Sequence, residues 1–198
     1  MENKREDILR AAEIEFIDKG LDGARTTRIA ERAGVTHAML HYYFKTKQQL
    51  FEHMVQNKVI EIQQSVLTAF ALPNMSMKDR IIEGASRHFD FCMQNPHLPK
   101  FLLTTMPKNV LEGMIKIIAP IIQSQYSKLE REFHEAGISM SPAMMVSTII
   151  SLNMTPFLLE PLFTVASQIQ IDELTTYHDY LLRRKAENIR ILQCILEG

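Results

Sequence analysis

The sequence predicts an all-α protein, with a small N-terminal three-helix domain carrying a helix-turn-helix and a larger helical C-terminal domain. Three observations predict it. Apolar residues recur at three- and four-residue steps through most of the 198 residues, the spacing of one helix face. No run shows the apolar–polar alternation of a half-buried strand. Gly, Pro, Ser, Thr and Asn fall between the periodic segments, where helices start and stop. The expected domains are 1–48 and 49–198.

The first helix covers Lys4–Lys19, with Ile8, Leu9, Ala12 and Phe16 on one face and Gly20 closing it as a C-cap would. Thr26 opens a short second helix, its hydroxyl placed to accept from a free backbone N–H. That helix carries Ile29, Ala30 and Ala33 and stops at Gly34. Thr36 is the natural N-cap of a third helix that runs to about Tyr43. A long helix follows from Lys47 to about Leu72, ended by Pro73-Asn74; at 1.5 Å per residue it spans about 39 Å, a length suited to a connector. Further helices are expected over Met77–Gln94, Leu98–Met106, Asn109–Ala136, Pro142–Phe163 and Asp172–Leu196. Ser141 caps the Pro142 helix, with proline at its first position. Pro120, Pro156 and Pro161 should kink or break the helices that contain them.

A hydrophobic content of 46% and a charged content of 23% are those of an ordinary globular protein. The formal net charge of −1 excludes a uniformly basic nucleic-acid binder. Charge is nevertheless segregated. Gly23–Leu50 carries Arg25, Arg28, Arg32, Lys45 and Lys47 against Glu31 alone, a net +4 that leaves −5 for the remainder. Such asymmetry points to nucleic-acid contact by one part of a chain. Cys92 and Cys194 form no CxxC pair and lie in apolar helical text, which predicts reduced, buried thiols in a cytoplasmic protein. The charged opening MENKREDILR lacks the apolar core of a secretion signal. Met144–Leu152 is too short and interrupted to span a bilayer, so no membrane partner is expected.

The informative stretch runs TTRIAERAGVTHAMLHYYF from Thr26 to Phe44. It reads as two short helices joined by a tight turn at Gly34, where glycine supplies the positive φ required. Ala30, Val35, Leu40 and Phe44 are spaced to lock the helices together, and small Ala30 and Ala33 allow close approach. This is a helix-turn-helix, whose second helix enters the major groove of double-stranded DNA. The outward residues of that helix are His37, Ala38, Met39, Tyr42 and, less clearly placed, His41. They offer hydrogen-bond donors, a small side chain for thymine methyls and aromatics that reach the backbone. Tyr43 and Phe44 read as core.

Ile8-Leu9-x-Ala11-Ala12 with Phe16 and Gly20, Thr26-x-x-Ile29-Ala30-x-x-Ala33-Gly34-Val35-Thr36, and Leu40-x-Tyr42-Tyr43-Phe44-x-x-Lys47-x-x-Leu50 follow in one frame. Together they resemble the signature of the TetR family over roughly the first 50 residues. The resemblance implies that Thr26 caps the second helix and, with Thr27 and Arg28, faces phosphate or a groove edge. It implies that Thr36 caps the recognition helix and donates to phosphate, that Tyr42 faces DNA, and that Lys47 pairs with phosphate. Three positions depart from the pattern: Ala38 where glycine is frequent, His41 where tyrosine is frequent, and Glu15 where leucine is common. The first two put base specificity out of reach, and the third leaves the packing of the first helix open.

Nine of the twelve methionines lie between Met75 and Met154, and methionine suits surfaces that accommodate varied apolar partners. Phe89, Cys92, Met93, Phe101, Met106, Met114, Met144 and Met154 are the candidate lining of an apolar ligand pocket. Ordinary core packing is the competing reading for each. Leu174, Tyr177, Leu181, Ile189, Leu192 and Ile195 or Leu196 form an apolar stripe on the last helix. With the Pro142–Phe163 helix, that stripe predicts a homodimer interface, the alternative being that some of its residues pack only within the subunit. His37 with His41, and His88 with Cys92, are spaced as half a metal site but have no further ligands nearby, so no metal is expected. There is no Gly-rich phosphate loop, GxSxG or HExxH, so neither an enzyme nor a cofactor is expected. The expected function is a repressor that binds a palindromic operator as a homodimer and is released by a small apolar effector. Repression rests on the resemblance alone. A helical carrier of apolar molecules without a DNA role would account for the methionines, but not for the basic, capped motif.

Overall fold

The computed structural model describes residues 2–70, 72–105, 112, 123, 126–168 and 176–197. The regular elements among them are all helical. They are α1 (Glu2–Gly23), α2 (Thr26–Arg32), α3 (His37–Tyr43), α4 (Lys47–Phe70), α5 (Met77–Gln94) and α6 (His97–Lys100), then α7 over 126–135, α8 (Pro142–Leu158), α9 (Glu160–Gln168) and α10 (Tyr177–Glu197). The chain forms two compact units, Met1–Glu61 and Ile62–Gly198. The first unit thus extends beyond the expected 1–48. The first turns of α4 bury Leu50, Phe51, Met54 and Val55, each at most 1% exposed, and so belong to its core.

In the first unit Ile8, Ala12, Phe16, Ile29, Leu40 and Phe44 are buried as their periodicity requires. Phe16 meets Phe51 edge-on at 5.0 Å between ring centroids, an aromatic pairing that ties α1 to α4. Gly20 bends α1 rather than ending it: at φ 65° and ψ 178° it lies inside a helix that continues to Gly23.

The second unit is built on α5, α8 and α10. Ile81, Ala85, Phe133, Ile138, Met145, Leu192 and Leu196 form one buried apolar cluster. Phe89, Cys92, Met154, Phe157 and Leu181 form another. Between them along the three helices lie His88, Asn153 and Asn188, all at most 5% exposed. Pro156 explains part of this polar layer. Proline has no N–H, so the carbonyl of Leu152, one turn earlier, loses its helical partner. Asn188 Nδ2 donates to that carbonyl at 2.8 Å and to Asn153 Oδ1 at 3.2 Å. The carbonyl of Pro156 itself accepts from the Tyr177 hydroxyl at 3.1 Å. Pro156 therefore remains within α8. Pro161 does separate α8 from α9, because it cannot donate to the Phe157 carbonyl and its ring crowds it. Pro120 lies outside the described residues.

Two further expectations shift. The helix expected over Leu98–Met106 begins at His97 and widens into a π-turn over Phe101–Thr105. The apolar stripe of the last helix turns inward: Leu181, Leu192 and Leu196 are buried in the subunit's own clusters, while Leu174 lies outside the described residues.

Candidate nucleic-acid interface and effector region

The helix-turn-helix is assembled by local hydrogen bonds. Gly34 adopts φ +62°, and its N–H donates to Glu31 O at 3.1 Å while Val35 N–H reaches Ala30 O at 3.0 Å. That paired closure ends α2 and redirects the chain. Thr36 then caps α3, its Oγ1 accepting from Met39 N–H at 3.1 Å. Leu40 points inward at 0% exposure. His37, Ala38, Met39, His41 and Tyr42 are all exposed, with Tyr42 standing out at 72%. Lys45 lies 5.5 Å from the Tyr42 ring centroid, a cation–π contact that keeps a positive charge beside this aromatic. The rings of His37 and His41 meet edge-on at 4.5 Å. Thr27, Arg25, Arg28 and Arg32 are exposed on or beside α2, and Tyr43 is half-buried.

One role differs from expectation, and a second residue has partners the sequence did not show. The residue preceding α2 is Arg25, and no side chain of its own caps the helix. Thr26 is the first helical residue instead, and its Oγ1 lies 3.0 Å from His37 Nε2. The two side chains thereby join the starts of α2 and α3. Lys47 is the second case. Its Nζ donates to the carbonyls of Asp22 at 3.1 Å and Ala24 at 3.2 Å, so two of its three N–H groups hold the turn before α2.

Glu15 and Thr46 are not among the site residues expected from the sequence. Glu15 is 3% exposed, and its Oε1 accepts from Arg25 N–H at 3.3 Å. Its departure from leucine was the available clue, but the partner ten residues away was not readable. Thr46 accepts from Gln49 N–H at 3.0 Å and so caps α4, as a threonine just before a helix can.

In the second unit Phe89, Cys92 and Met154 share one buried cluster, with Met93 packed against it. Phe101 is also buried. Burial pushes the Cys92 thiol up to about 12, which makes it an apolar packing group at neutral pH. Cys194, expected to be buried, is exposed on α10. Met144 does not join the others. It is 57% exposed on α8, which removes it from an enclosed lining. Met106 and Met114 lie outside the described residues. An open groove of about 400 Å³ elsewhere is lined by Met75, Lys78, Ile82, Gln193 and Leu196 between the start of α5 and the end of α10. Among the described residues, no three His, Cys, Asp or Glu side chains gather as a cation site requires. No described helix is long and apolar enough to cross a membrane.

A capped helix-turn-helix with an exposed recognition face, followed by a body whose described elements are all helical, is the architecture of helix-turn-helix proteins. Residues 8–54 match the family of bacterial regulatory proteins named for tetR. Over 126 residues the chain is 22% identical to the HTH-type transcriptional regulator YdgC of Bacillus subtilis, covering 61% of this chain and 65% of that one. The match therefore spans less than two thirds of that relative. Among solved structures, SCO4942 of Streptomyces coelicolor superposes with a TM-score of 0.71 at 19% identity, covering 97% of each chain. The regulator FadR of Bacillus subtilis, solved in complex with stearoyl-CoA, superposes with a TM-score of 0.65 at 16% identity, covering 94% of this chain and 96% of that one. At these identities the structural likeness is one of fold. Residues 8–54 thus match the N-terminal domain of the TetR family, and the chain as a whole shares the fold of these solved regulators.

Proposed function

We propose that the protein is a cytoplasmic transcriptional repressor, without enzymatic activity, that binds a palindromic operator as a homodimer. The observation that carries this reading is the capped recognition helix, with His37, Ala38, Met39, His41 and Tyr42 exposed around a buried Leu40. Thr27, Arg28 and Thr36 supply contacts to the DNA backbone, and the α3 side chains read base edges.

Dimerisation is supported by α8. Its seventeen residues include no Asp, Glu, Lys or Arg, yet Met144, Val146, Ser147, Ile150, Ser151 and Thr155 are exposed. An uncharged helix face with small residues suits a second copy related by a two-fold axis. A small apolar effector enters the second unit near Phe89, Cys92, Met93, Phe101 and Met154. It releases DNA by favouring one separation of the two readers, which requires different affinities for the two states. The apolar cluster and the fold likeness to a stearoyl-CoA-bound regulator support this part.

Selection of bound fragments from random DNA with the purified protein tests the reading. The expected product is a palindrome with half-sites centred about 34–36 Å apart, or a multiple of that. Failure to enrich any palindrome overturns it and favours a carrier of apolar molecules.

A further inference from the structure

Two side chains far apart in sequence converge on the turn that launches α2. Lys47, the first residue of α4, donates to the Asp22 and Ala24 carbonyls. Glu15, buried within α1, accepts from the Arg25 N–H. Their charges match the groups they hold. The Asp22 carbonyl belongs to the last turn of α1, where carbonyls lack helical partners and a cation is favourable. The Arg25 amide stands just before α2, where N–H groups lack partners and a carboxylate is favourable. Arg25 contributes no side-chain cap of its own, so the restraint on this turn comes from outside it. The bond from Ala24 N–H to Gly20 O, at 3.2 Å, closes the same segment from α1.

We infer that Lys47 and Glu15 are positioning residues, which clamp the Asp22–Arg25 turn from its carbonyl and amide sides and so set the placement of α2 beneath the recognition helix. Lys47 then acts on DNA recognition through α2 rather than by pairing with phosphate. Because it is the first residue of α4, a movement of that helix's first turn is delivered directly to the turn before α2. Thr26, the next residue, carries the restraint on to α3 through its contact with His37. The inference rests on the DNA-binding reading above.

The test uses the full-length protein, the palindrome recovered by selection, and an unrelated duplex of equal length. Lys47→Met removes the ammonium and keeps the stem, Glu15→Leu removes the acceptor, and Glu15→Gln keeps an acceptor oxygen. A displaced reading constellation costs specificity. Lys47→Met and Glu15→Leu are therefore expected to lower the ratio of specific to non-specific affinity by about tenfold. Non-specific affinity and the salt dependence should stay at wild-type values, and Glu15→Gln should retain most of the ratio. Because both side chains restrain one turn, the double variant should lose little more than the worse single variant. A salt slope reduced by about one unit in Lys47→Met, with affinity lost for both duplexes, would make Lys47 a phosphate contact and overturn the clamp. A wild-type ratio in Glu15→Leu also overturns it. Should Glu15→Leu fail to fold, Lys47→Met decides alone, since it leaves the apolar core intact. If the wild-type protein enriches no palindrome, the DNA-binding reading fails first and the clamp with it.

Discussion

On α3, neighbouring side chains have opposite tasks. Leu40 is fully buried, whereas Tyr42 is 72% exposed. Leu40→Ala should cost about 2–5 kcal/mol by leaving a cavity in the first unit. Tyr42→Ala should change stability by less than about 0.5 kcal/mol, as surface substitutions do, while weakening or redirecting operator binding. Denaturant unfolding monitored by helical circular dichroism, beside binding to the selected palindrome, separates the two. Equal stability loss in both variants would contradict the assigned faces. Thr36→Ala removes the acceptor for Met39 N–H and should cost about 1 kcal/mol; Thr36→Ser should restore it. Thr36 was legible in the sequence because its bond spans only three residues. Thr26 was misassigned as a cap because a threonine at a helix start is consistent with both the cap and the first helical position. The extended backbone of Arg25, at φ −116° and ψ 121°, decides between them by making Arg25 the cap position and Thr26 the first helical residue.

The elements of the second unit are joined through polar atoms that periodicity does not register. Asn153 Nδ2 donates to Ala85 O at 2.8 Å and lies 3.2 Å from His88 Nδ1. His88 Nδ1 must then be the acceptor, which describes a neutral ring protonated at Nε2. Burial lowers the His88 pKa from its ordinary value of 6.5. The unfolded chain therefore binds this proton at a higher pH than the folded chain does. Stability from this residue is fully present above about pH 6.5 and falls as pH drops below it. Protonation at Nδ1 would also set a donor against the Asn153 donor. Thermal melts of wild type and His88→Gln at pH 7.5 and 5.5 should show a smaller acid loss in the variant; parallel losses would contradict the assignment. Asn188→Ala should cost about 1–3 kcal/mol by stranding the Leu152 carbonyl. In a Pro156→Ala background that cost should shrink, because residue 156 regains the N–H that serves the same carbonyl. The prolines were visible in the sequence, but not their fates. Pro161 separates two helices, while a side chain from α10 supplies the bond that Pro156 cannot.

At the scale of the whole molecule, the proposed homodimer rests on the uncharged exposed face of α8. Ile150, 39% exposed, is a suitable probe. Ile150→Glu should leave the helical content unchanged and shift sedimentation from dimer to monomer, since a carboxylate buried between two copies carries a large desolvation cost. Affinity for the full palindrome should fall toward that for a single half-site. A variant that remains dimeric would place the interface elsewhere. Sequence periodicity located the apolar stripe on the last helix, and left packing against a partner copy and packing within the subunit as alternatives. The structure assigns Leu181, Leu192 and Leu196 to the subunit's own core.

The sequence by itself determined the all-helical class, the position of the helix-turn-helix, its Gly34 turn, its Thr36 cap and the outward face of α3. Each of these follows from interactions within about one helical turn, where residue type and spacing dictate the geometry. Only the tertiary structure decided what Lys47, Glu15, Asn188 and the last helix's stripe hold. Their partners lie between ten and dozens of residues away along the chain. Nothing in the local pattern encodes which distant carbonyl, amide or apolar surface the folded chain brings within reach.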